Sequence, residues 1–221
     1  MKYYPVNLNI RNQPCLVVGG GSVGTRKVRT LLACGAQVTV VSPDTADELT
    51  RLAGSGEIRL KQRTYEASDL ETMFLVIGAT DDENLNRQIH TDAEGRNMLC
   101  NIADRPEICN FILPSLVSRG DLLIAISTSG TSPAFAKKLR KKLEKQFGNE
   151  YARFLKLMGA VRAKLLRQAH EPEAHKHLFE QLIDKGLLAL VRQGDDNAIN
   201  ALLFEVLGEG YTIKALIQTD S

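Results

Sequence analysis

Residues 15–24 read CLVVGGGSVG, and this stretch decides the fold of the chain. The apolar run 15–18 predicts a buried strand that leads into three consecutive glycines. Gly19, Gly21 and Gly24 have the spacing G-x-G-x-x-G, in which the first glycine allows a sharp turn and the second lets the backbone approach a pyrophosphate. The third lets a helix pack closely on the strand. This spacing predicts a dinucleotide-binding turn, although glycine clusters also occur in tight turns that bind nothing.

The residues after the glycines favour the dinucleotide-binding turn. Apolar residues at helical spacing predict a helix over 22–34, whose first N–H groups would point at phosphates. Another apolar strand, 37–41, follows Gly35. Further strands are predicted at 57–62, 74–79 and 98–103, and a helix is predicted at 83–94. This alternation predicts an α/β fold with a Rossmann-like, doubly wound parallel sheet, which binds ligands at the carboxyl ends of its strands.

The second half of the chain has a different pattern. Extended runs at 111–118 and 121–127 flank Arg119 and Gly120, which predicts a hairpin, and its open strand edges predict a homodimer. A helix is predicted from Pro133 to about residue 147, with Ser132 as its N-cap. Helical periodicity then continues to the end. We expect three regions: a Rossmann domain (1–113), a dimerisation region with the hairpin and the basic helix (114–149), and a helical domain (150–221).

Composition excludes several classes of protein. The chain has 221 residues, of which 43% are hydrophobic, enough for a packed core. It has no run of eighteen apolar residues and no signal-peptide pattern, so we expect a cytoplasmic protein that does not bind membranes. The cysteines contain no C-x-x-C pair, and we expect buried free thiols at Cys15, Cys34, Cys100 and Cys109. The histidines have no metal-ligand spacing, and we expect exposed side chains and no metal site at His90, His170, His175 and His177.

Polar residues that follow the predicted strands are candidates for the site. Asp104 comes after the strand 98–103, where partial shielding from water would suit a carboxylate to act as a general base. Its alternative role is to cap a turn before a proline. Asn101 could contact substrate or satisfy backbone groups, and Thr80 lies after another strand, beside a cofactor. Asp44 lies about twenty residues after the glycines, where an acid bonds ribose hydroxyls, or it caps a helix over 45–53.

The stretch STSGTSP at 127–133 suits an anion. Ser129, Thr131 and Ser132 offer hydroxyl and N–H groups that could hold a substrate carboxylate, or they could only cap the helix that follows. The net charge is +2, and residues 137–145 contain six basic residues and one acidic one. These basic residues, Lys138 among them, point around the helix, so not all of them can face one ligand. They could form a solvated face, or they could attract a polyanion. No aromatic residue interrupts the run, so we do not expect nucleic-acid binding.

Four motifs link the sequence to a known family. They are VVGGGSVGTRK at 17–27, GATDDENLN at 78–86, NIADRPEICNFILPS at 101–115 and RGDLLIAISTSGTSP at 119–133. With these motifs, which cover most of the first 150 residues in order, the chain resembles precorrin-2 dehydrogenase. In many bacteria this module forms the N-terminal part of siroheme synthase.

The resemblance implies a reaction and the residues that perform it. The reaction is NAD-dependent oxidation of the tetrapyrrole precorrin-2 to sirohydrochlorin, and some members also insert Fe²⁺ as a substrate. The family's catalytic aspartate corresponds to Asp104, and its NAD contacts correspond to Ser22, Val23, Pro43 and Asp44. The methyltransferase module of the fused enzymes has no counterpart here, so S-adenosylmethionine is not expected as a substrate.

Two other functions are compatible with the pattern. The chain could be a non-catalytic Rossmann module that senses NAD, in which case it would bind NAD without turnover and tolerate loss of the Asp104 carboxylate. It could also bind nucleic acid through the basic helix, with strong salt dependence. The tail beyond residue 151 has no motif that decides whether iron is inserted.

Overall fold

The computed structural model describes residues 2–168 and 172–217, without the side chains of 172–174. The chain divides into two units, Met1–Leu113 and Pro114–Ser221. The finer division into three regions stays a prediction. Within the described residues, no helix has the length and apolar character needed to cross a membrane.

The first unit is built on a parallel sheet. Its strands are β1 (Pro14–Gly20), β2 (Gln37–Thr45), β3 (Ile58–Lys61), β4 (Leu75–Gly78) and β5 (Leu99–Ile102). Its α-helices are α1 (Ser22–Ala33), α2 (Asp47–Gly54) and α3 (Glu83–Glu94), and short 3₁₀ turns lie at Ala67–Leu70 and Pro106–Ile108. The strand order is β3-β2-β1-β4-β5 and every pairing is parallel. The predicted Rossmann-like sheet is therefore confirmed.

The central strand β1 is buried on both faces, which explains its unbroken apolar run. Val17 belongs to the core beneath α1, together with Val28 of that helix. Leu16 faces the other way and belongs to a second core with Ile89 of α3. Because both faces are filled, ligands can reach the sheet only at the ends of its strands.

Strand β2 is longer than its sequence predicts. A proline normally ends a strand, yet β2 continues through Pro43 to Thr45. The reason is a register shift in β1 after Val18, which lets Gly20 pair with Thr45. Helix α2 then begins at Asp47 with Ala46 as its N-cap, so the alternative role of Asp44 as the cap of this helix is wrong.

The second unit begins with the predicted hairpin, formed by β6 (Ser115–Arg119) and β7 (Leu122–Ile126). Helix α4 (Pro133–Gln146) packs on one face of this hairpin. The cap of α4 is confirmed: Ser132 Oγ accepts a hydrogen bond of 3.3 Å from the N–H of Phe135, and Pro133 is the first helical residue. The remaining helices are α5 (Glu150–Gln168), α6 (Pro172–Asp184), α7 (Leu187–Gln193), α8 (Asp196–Leu207) and α9 (Ile213–Ile217).

Some cysteine and histidine predictions are wrong. All four cysteines are free, and Cys15 and Cys100 are buried as predicted. Cys109 is only half-buried, and Cys34 is exposed because α1 ends at Ala33 and the chain turns there. His175 is buried, with 8% of its surface exposed. It lies three and seven residues before Leu178 and Leu182 on α6, which places it on the side of the helix that faces the core. His170 lies outside the described residues.

Candidate functional site

The turn between β1 and α1 has no room for side chains. Gly19 has a φ of +113°, and a Cβ there would overlap the carbonyl oxygen of Ala79 and lie 3.0 Å from the amide nitrogen of Thr80. A Cβ on Gly24 would overlap the carbonyl oxygen of Gly19. The first and third motif glycines therefore have the roles predicted for them, a sharp turn and close helix packing.

Gly20 is a necessary glycine that the G-x-G-x-x-G pattern does not include. A Cβ at this position would lie 2.8 Å from Thr45 Cγ2 and overlap the carbonyl oxygen of Asp44. The N–H of Gly20 donates to Ser42 Oγ at 2.9 Å, and Ser42 Oγ donates to the Asp44 carbonyl at 2.7 Å. The buried Ser42 hydroxyl thus links the glycine turn to the end of β2. Three consecutive glycines were the available sequence signal for this contact.

Gly21 lies in different surroundings, because a Cβ there would have no atom within 4 Å. It is the N-cap of α1, and this helix has neither a side-chain cap nor an acidic residue in its first turn. The first N–H groups of a helix have no partner within it, and the helix dipole adds positive potential there. Ser22 is exposed and Val23 is half-buried at this end. Open space and free N–H groups fit the pyrophosphate of a dinucleotide.

The residues predicted to contact the rest of the cofactor lie at the same edge of the sheet. Pro43 and Asp44 are exposed at the end of β2. Thr80 follows β4, and its Oγ1 accepts a hydrogen bond of 2.9 Å from the N–H of Asp82. Parallel strands bring these carboxyl ends together, as a bound dinucleotide requires.

A small cavity adjoins this edge. It has a volume of about 180 Å³ and is lined by Glu83, Asn86, Arg87, Arg105, Glu107 and Ile108. The Asn86 amide donates to the Thr80 carbonyl at 2.8 Å, while its Oδ1 is buried without a partner among the described residues. A buried amide oxygen without a hydrogen bond is costly, so packing at this end of β4 is not optimised for stability alone.

Asp104 lies two residues after β5, in a turn joined to β4 by a hydrogen bond of 2.8 Å from Ala103 N–H to the Gly78 carbonyl. Its φ is +61°, in the left-handed region that few residues other than glycine adopt. Its side chain is exposed, so the expected shielding from water is wrong for the first unit alone. The turn projects beyond the strand, which explains why the carboxylate escapes the core.

Lys27 is a neighbour of Asp104 that the sequence analysis missed. Burial is the main cause that lowers the pKa of this lysine, and Arg26 lowers it further. Asp104 and Cys109 act in the opposite direction, which places the Lys27 ammonium within electrostatic reach of both. Lys27 follows Gly24 by three residues, and no pattern in the sequence distinguished it from a surface lysine.

Asn101 is buried, and its Nδ2 donates to the Phe111 carbonyl at 3.0 Å. This contact agrees with the alternative in which Asn101 satisfies backbone groups. A contact between Asn101 and substrate stays a prediction.

The other predicted substrate residues belong to the second unit. Ser129 is exposed with a φ of +54°, and the N–H of Thr131 donates to the Thr128 carbonyl at 2.9 Å, so these residues form a tight turn before α4. Ser132 caps α4, as its alternative role required. Binding of an anion by this turn stays a prediction.

The six basic residues of α4 spread around the helix as expected when Arg140 is included, but the lysines alone form a narrower set. Five are exposed, and their spacing places them on one side, within an arc of about 140°. They are Lys137, Lys138, Lys141, Lys142 and Lys145. Arg140 lies outside this stripe and pairs with Glu144, while the opposite face packs on the hairpin.

Among the side chains that the structure describes, in 2–168 and 175–217, no group of three or more histidine, cysteine or acidic residues could hold a metal. The cysteine that lies closest to the predicted site, Cys109, instead contacts the backbone of the Asp104 turn.

Comparisons with known proteins agree with this geometry. Residues 6–115 match a family model described as "Putative NAD(P)-binding", and residues 119–146 match one described as "Sirohaem biosynthesis protein central". A solved structure titled "SirC, precorrin-2 dehydrogenase" has a TM-score of 0.77 and 29% identity, covering 92% of this chain and 98% of that chain.

Curated relatives are named siroheme synthase. The protein from Nitrosococcus oceani is 35% identical over 211 residues, which are 96% of this chain and 45% of that protein. The protein from Thioalkalivibrio sulfidiphilus is 36% identical, over 95% of this chain and 43% of its own length. The chain therefore spans slightly less than half the length of the curated relatives it matches.

Proposed function

We propose that this chain, which is similar to the siroheme synthases over slightly less than half of their length and to the precorrin-2 dehydrogenase SirC over nearly all of its length, oxidises precorrin-2 to sirohydrochlorin with NAD⁺. One observation carries the proposal. The turn formed by Gly19, Gly20 and Gly24 has no room for side chains, while Gly21 faces open space at the uncapped end of α1. This arrangement suits a pyrophosphate better than it suits a purely structural turn.

NAD⁺, when bound, supplies the acceptor for a hydride that leaves a ring carbon of the tetrapyrrole. The protein orients the reactants. The first N–H groups of α1, at Ser22 and Val23, hold the pyrophosphate, and Asp44 bonds the adenosine ribose at the end of β2. Thr80 lines the cofactor site beyond β4. Asp104 takes the proton that leaves with the hydride, so that substrate loses one hydride and one proton in total.

Precorrin-2 carries many carboxylates, and the second unit offers groups that suit them. The turn at Ser129 and Thr131, together with Ser132, presents N–H and hydroxyl groups. Lys138 belongs to the exposed lysine stripe of α4. We assign these residues to the binding of substrate carboxylates, because cations and oriented N–H groups favour anions.

A second copy of the chain completes the proposal. Val117 and Ile124 lie opposite each other on the face of the hairpin that packs on α4. Leu116, Leu123 and Ala125 lie on the other face and are exposed. An apolar sheet face with open strand edges suits pairing with an identical hairpin, so we propose a homodimer.

The experiment mixes purified protein with NAD⁺ and enzymatically made precorrin-2 without oxygen, and follows NADH and the sirohydrochlorin spectrum. Wild type is expected to turn over, and Asp104→Ala is expected to lose turnover while it still binds NAD⁺. Equal turnover in both proteins would leave the reaction in place and reject the role of Asp104. Binding of NAD⁺ without turnover in wild type would favour the sensor instead.

Insertion of Fe²⁺ as a second activity stays a prediction of the resemblance, and a cytoplasmic location stays a prediction of the sequence pattern. A comparison of siroheme formation from sirohydrochlorin and Fe²⁺ with the spontaneous rate tests the second activity. The carboxylate of Asp104 would then take protons from the pyrrole nitrogens.

A further inference from the structure

We propose that Cys109 is a positioning residue: its thiol locks the turn that presents the Asp104 carboxylate to the substrate. The inference rests on the proposed function, since only a proton-transfer reaction requires this carboxylate in one place. Asp104 itself would touch the substrate, whereas Cys109 would act through the backbone on either side of it.

The sulfur of Cys109 contacts backbone groups before and after Asp104. It lies 3.3 Å from the carbonyl oxygen of Ile102 and 3.0 Å from that of Arg105, both of which can accept its proton. It also accepts a hydrogen bond of 3.1 Å from the N–H of Ile102. One side chain therefore joins the last residue of β5 to the residue that follows Asp104.

The backbone of the turn needs such support. The left-handed conformation of Asp104, with a φ of +61°, is less unfavourable for aspartate than for most residues with a Cβ, but it still costs free energy relative to glycine, so contacts around the turn help to hold it. Within the turn, a long backbone hydrogen bond of 3.3 Å runs from the N–H of Arg105 to the Ile102 carbonyl. The thiol adds further contacts to the same two residues.

The thiol has the protonation state that this role requires. Burial raises the pKa of Cys109 above its ordinary value; the hydrogen bond from the Ile102 N–H opposes this rise, and Glu107 and Lys27 have smaller effects in opposite directions. Cys109 therefore keeps its proton at neutral pH and can donate it to a carbonyl.

The residue beside Cys109 fixes it to the sheet. Asn110 Nδ2 donates to the Met98 carbonyl at 2.7 Å, and its Oδ1 accepts from the N–H of Cys100 at 2.9 Å. The backbone N–H of Asn110 donates to the Cys100 carbonyl at 3.2 Å. These three bonds hold position 109 beside the end of β5, so the thiol is a fixed point for the turn.

The ion pair on the outer side of the turn is a weaker support. Arg105 lies 3.2 Å from Glu83, but both side chains are about half exposed, and exposed pairs of this kind contribute little. The sulfur contacts to Ile102 are partly buried, and all three contacts come from a short side chain with little freedom. They are therefore the main side-chain restraint on the turn.

The test compares Cys109→Ala, Cys109→Ser and, as a matched control, Cys34→Ala, which removes an exposed thiol at the end of α1. We expect Cys109→Ala to lower kcat for precorrin-2 oxidation about tenfold. The KM for precorrin-2 and the Kd for NAD⁺ should stay within about twofold, because the turn after β1 is unchanged. Cys109→Ser should keep most of the activity, since a hydroxyl can donate to the same carbonyls.

Amide hydrogen exchange provides a readout that does not depend on catalysis. Exchange at Ile102 and Arg105 should be faster in Cys109→Ala than in wild type and in Cys34→Ala. Equal kcat for Cys109→Ala and wild type would overturn the proposal and leave the dehydrogenase in place, as would equal losses for the alanine and serine variants. If wild type has no turnover, the proposed function fails, and exchange at these two amides alone then decides whether the thiol holds the turn.

Discussion

The carbonyl oxygen of Asp44 lies so close to Gly20 that a Cβ on Gly20 would overlap it. Twenty-four residues apart in the sequence, the two backbones touch because β2 extends past Pro43 and pairs with the glycine turn. The part of the chain expected to hold pyrophosphate and the part expected to hold ribose are therefore one rigid assembly. Substitutions at different glycines of this turn should therefore affect either the binding of the dinucleotide or the stability of the fold.

Gly21→Ala and Gly20→Ala should separate them. A methyl group at position 21 meets no protein atom, so we expect only the loss of about 0.5 kcal/mol that alanine causes in place of glycine at a helix N-cap. It would occupy space proposed for the pyrophosphate, and the Kd for NAD⁺ should rise about tenfold, equal to about 1.4 kcal/mol. Isothermal titration and thermal denaturation measure both quantities. Unchanged NAD⁺ affinity in Gly21→Ala would contradict the proposed cofactor position.

Gly20→Ala should mainly lower stability, in contrast to Gly21→Ala. Its methyl group would collide with backbone, so the free energy of unfolding should fall by about 1–3 kcal/mol. A variant as stable as wild type would show that β2 and the glycine turn are not packed as described.

The loss of stability at acidic pH should depend on Asp69. This carboxylate is 2% exposed and bonds Lys61 at 2.8 Å and Arg63 at 2.6 Å and 2.8 Å. Burial alone would raise the pKa of Asp69, but hydrogen bonds from Arg63, Lys61 and the Glu66 N–H outweigh it and hold the pKa below its ordinary value. The stabilisation is therefore complete above the unfolded-state pKa and is lost as pH falls toward the folded-state pKa.

Asp69→Asn should lower the free energy of unfolding at pH 7 by about 1–3 kcal/mol, less than for a fully buried pair because both cations are partly exposed. The difference from wild type should shrink below about pH 4. Urea denaturation at pH 7 and pH 3 measures it. As a control, Asp81→Asn alters an exposed carboxylate and should change stability by less than about 0.5 kcal/mol. A constant difference across pH would refute the assignment.

Leu123→Asp should disrupt the proposed homodimer. Leu123 is 47% exposed on the hairpin face opposite α4, so a carboxylate there costs the isolated chain little but would be buried between two copies. We expect a dimer in sedimentation experiments for wild type and a monomer for the variant. Phe204→Asp, at an exposed apolar residue of α8, should remain dimeric. A dimer that survives Leu123→Asp would place the interface elsewhere.

Charge reversal on α4 should slow capture of the polyanionic substrate. Lys138→Glu is expected to reduce kcat/KM for precorrin-2 about three- to tenfold at low salt, with kcat unchanged, because a cationic surface raises the rate of encounter. The difference should shrink in about 0.5 M NaCl, where charges are screened. Lys156→Glu, an exposed position on α5, makes the same change in net charge and should have a smaller effect. Equal effects of the two variants would reject a specific role for Lys138.

The sequence was most informative where structure depends on local patterns. Glycine spacing predicted the turn after β1, and the helix expected between two strands at 83–94 has the observed ends Glu83 and Glu94. Ser132 and Pro133 predicted the start of α4, because capping depends on neighbouring residues.

Features that depend on distant residues could not be predicted in this way. Pro43 lies within a strand only because Gly20 pairs beyond it. His175 is buried because of the way its helix packs, which its polar side chain does not indicate. Cys109 contacts Ile102 and Arg105 because of the path of an irregular loop, and a loop without helical or strand periodicity gives no sequence pattern from which such contacts could be predicted.

The hydrogen bonds of Asn110 have a further consequence for the behaviour of the protein at high concentration. The Asn110 side chain bonds the Cys100 N–H and the Met98 carbonyl at the outer edge of β5. A sixth strand would need these backbone groups for its own pairing, so Asn110 blocks its addition. The opposite edge, β3, carries the charged residues Arg59 and Lys61, which discourage strand addition. Both edges of this sheet are thus protected against the addition of strands from other molecules, one edge by the Asn110 amide and the other by charged side chains.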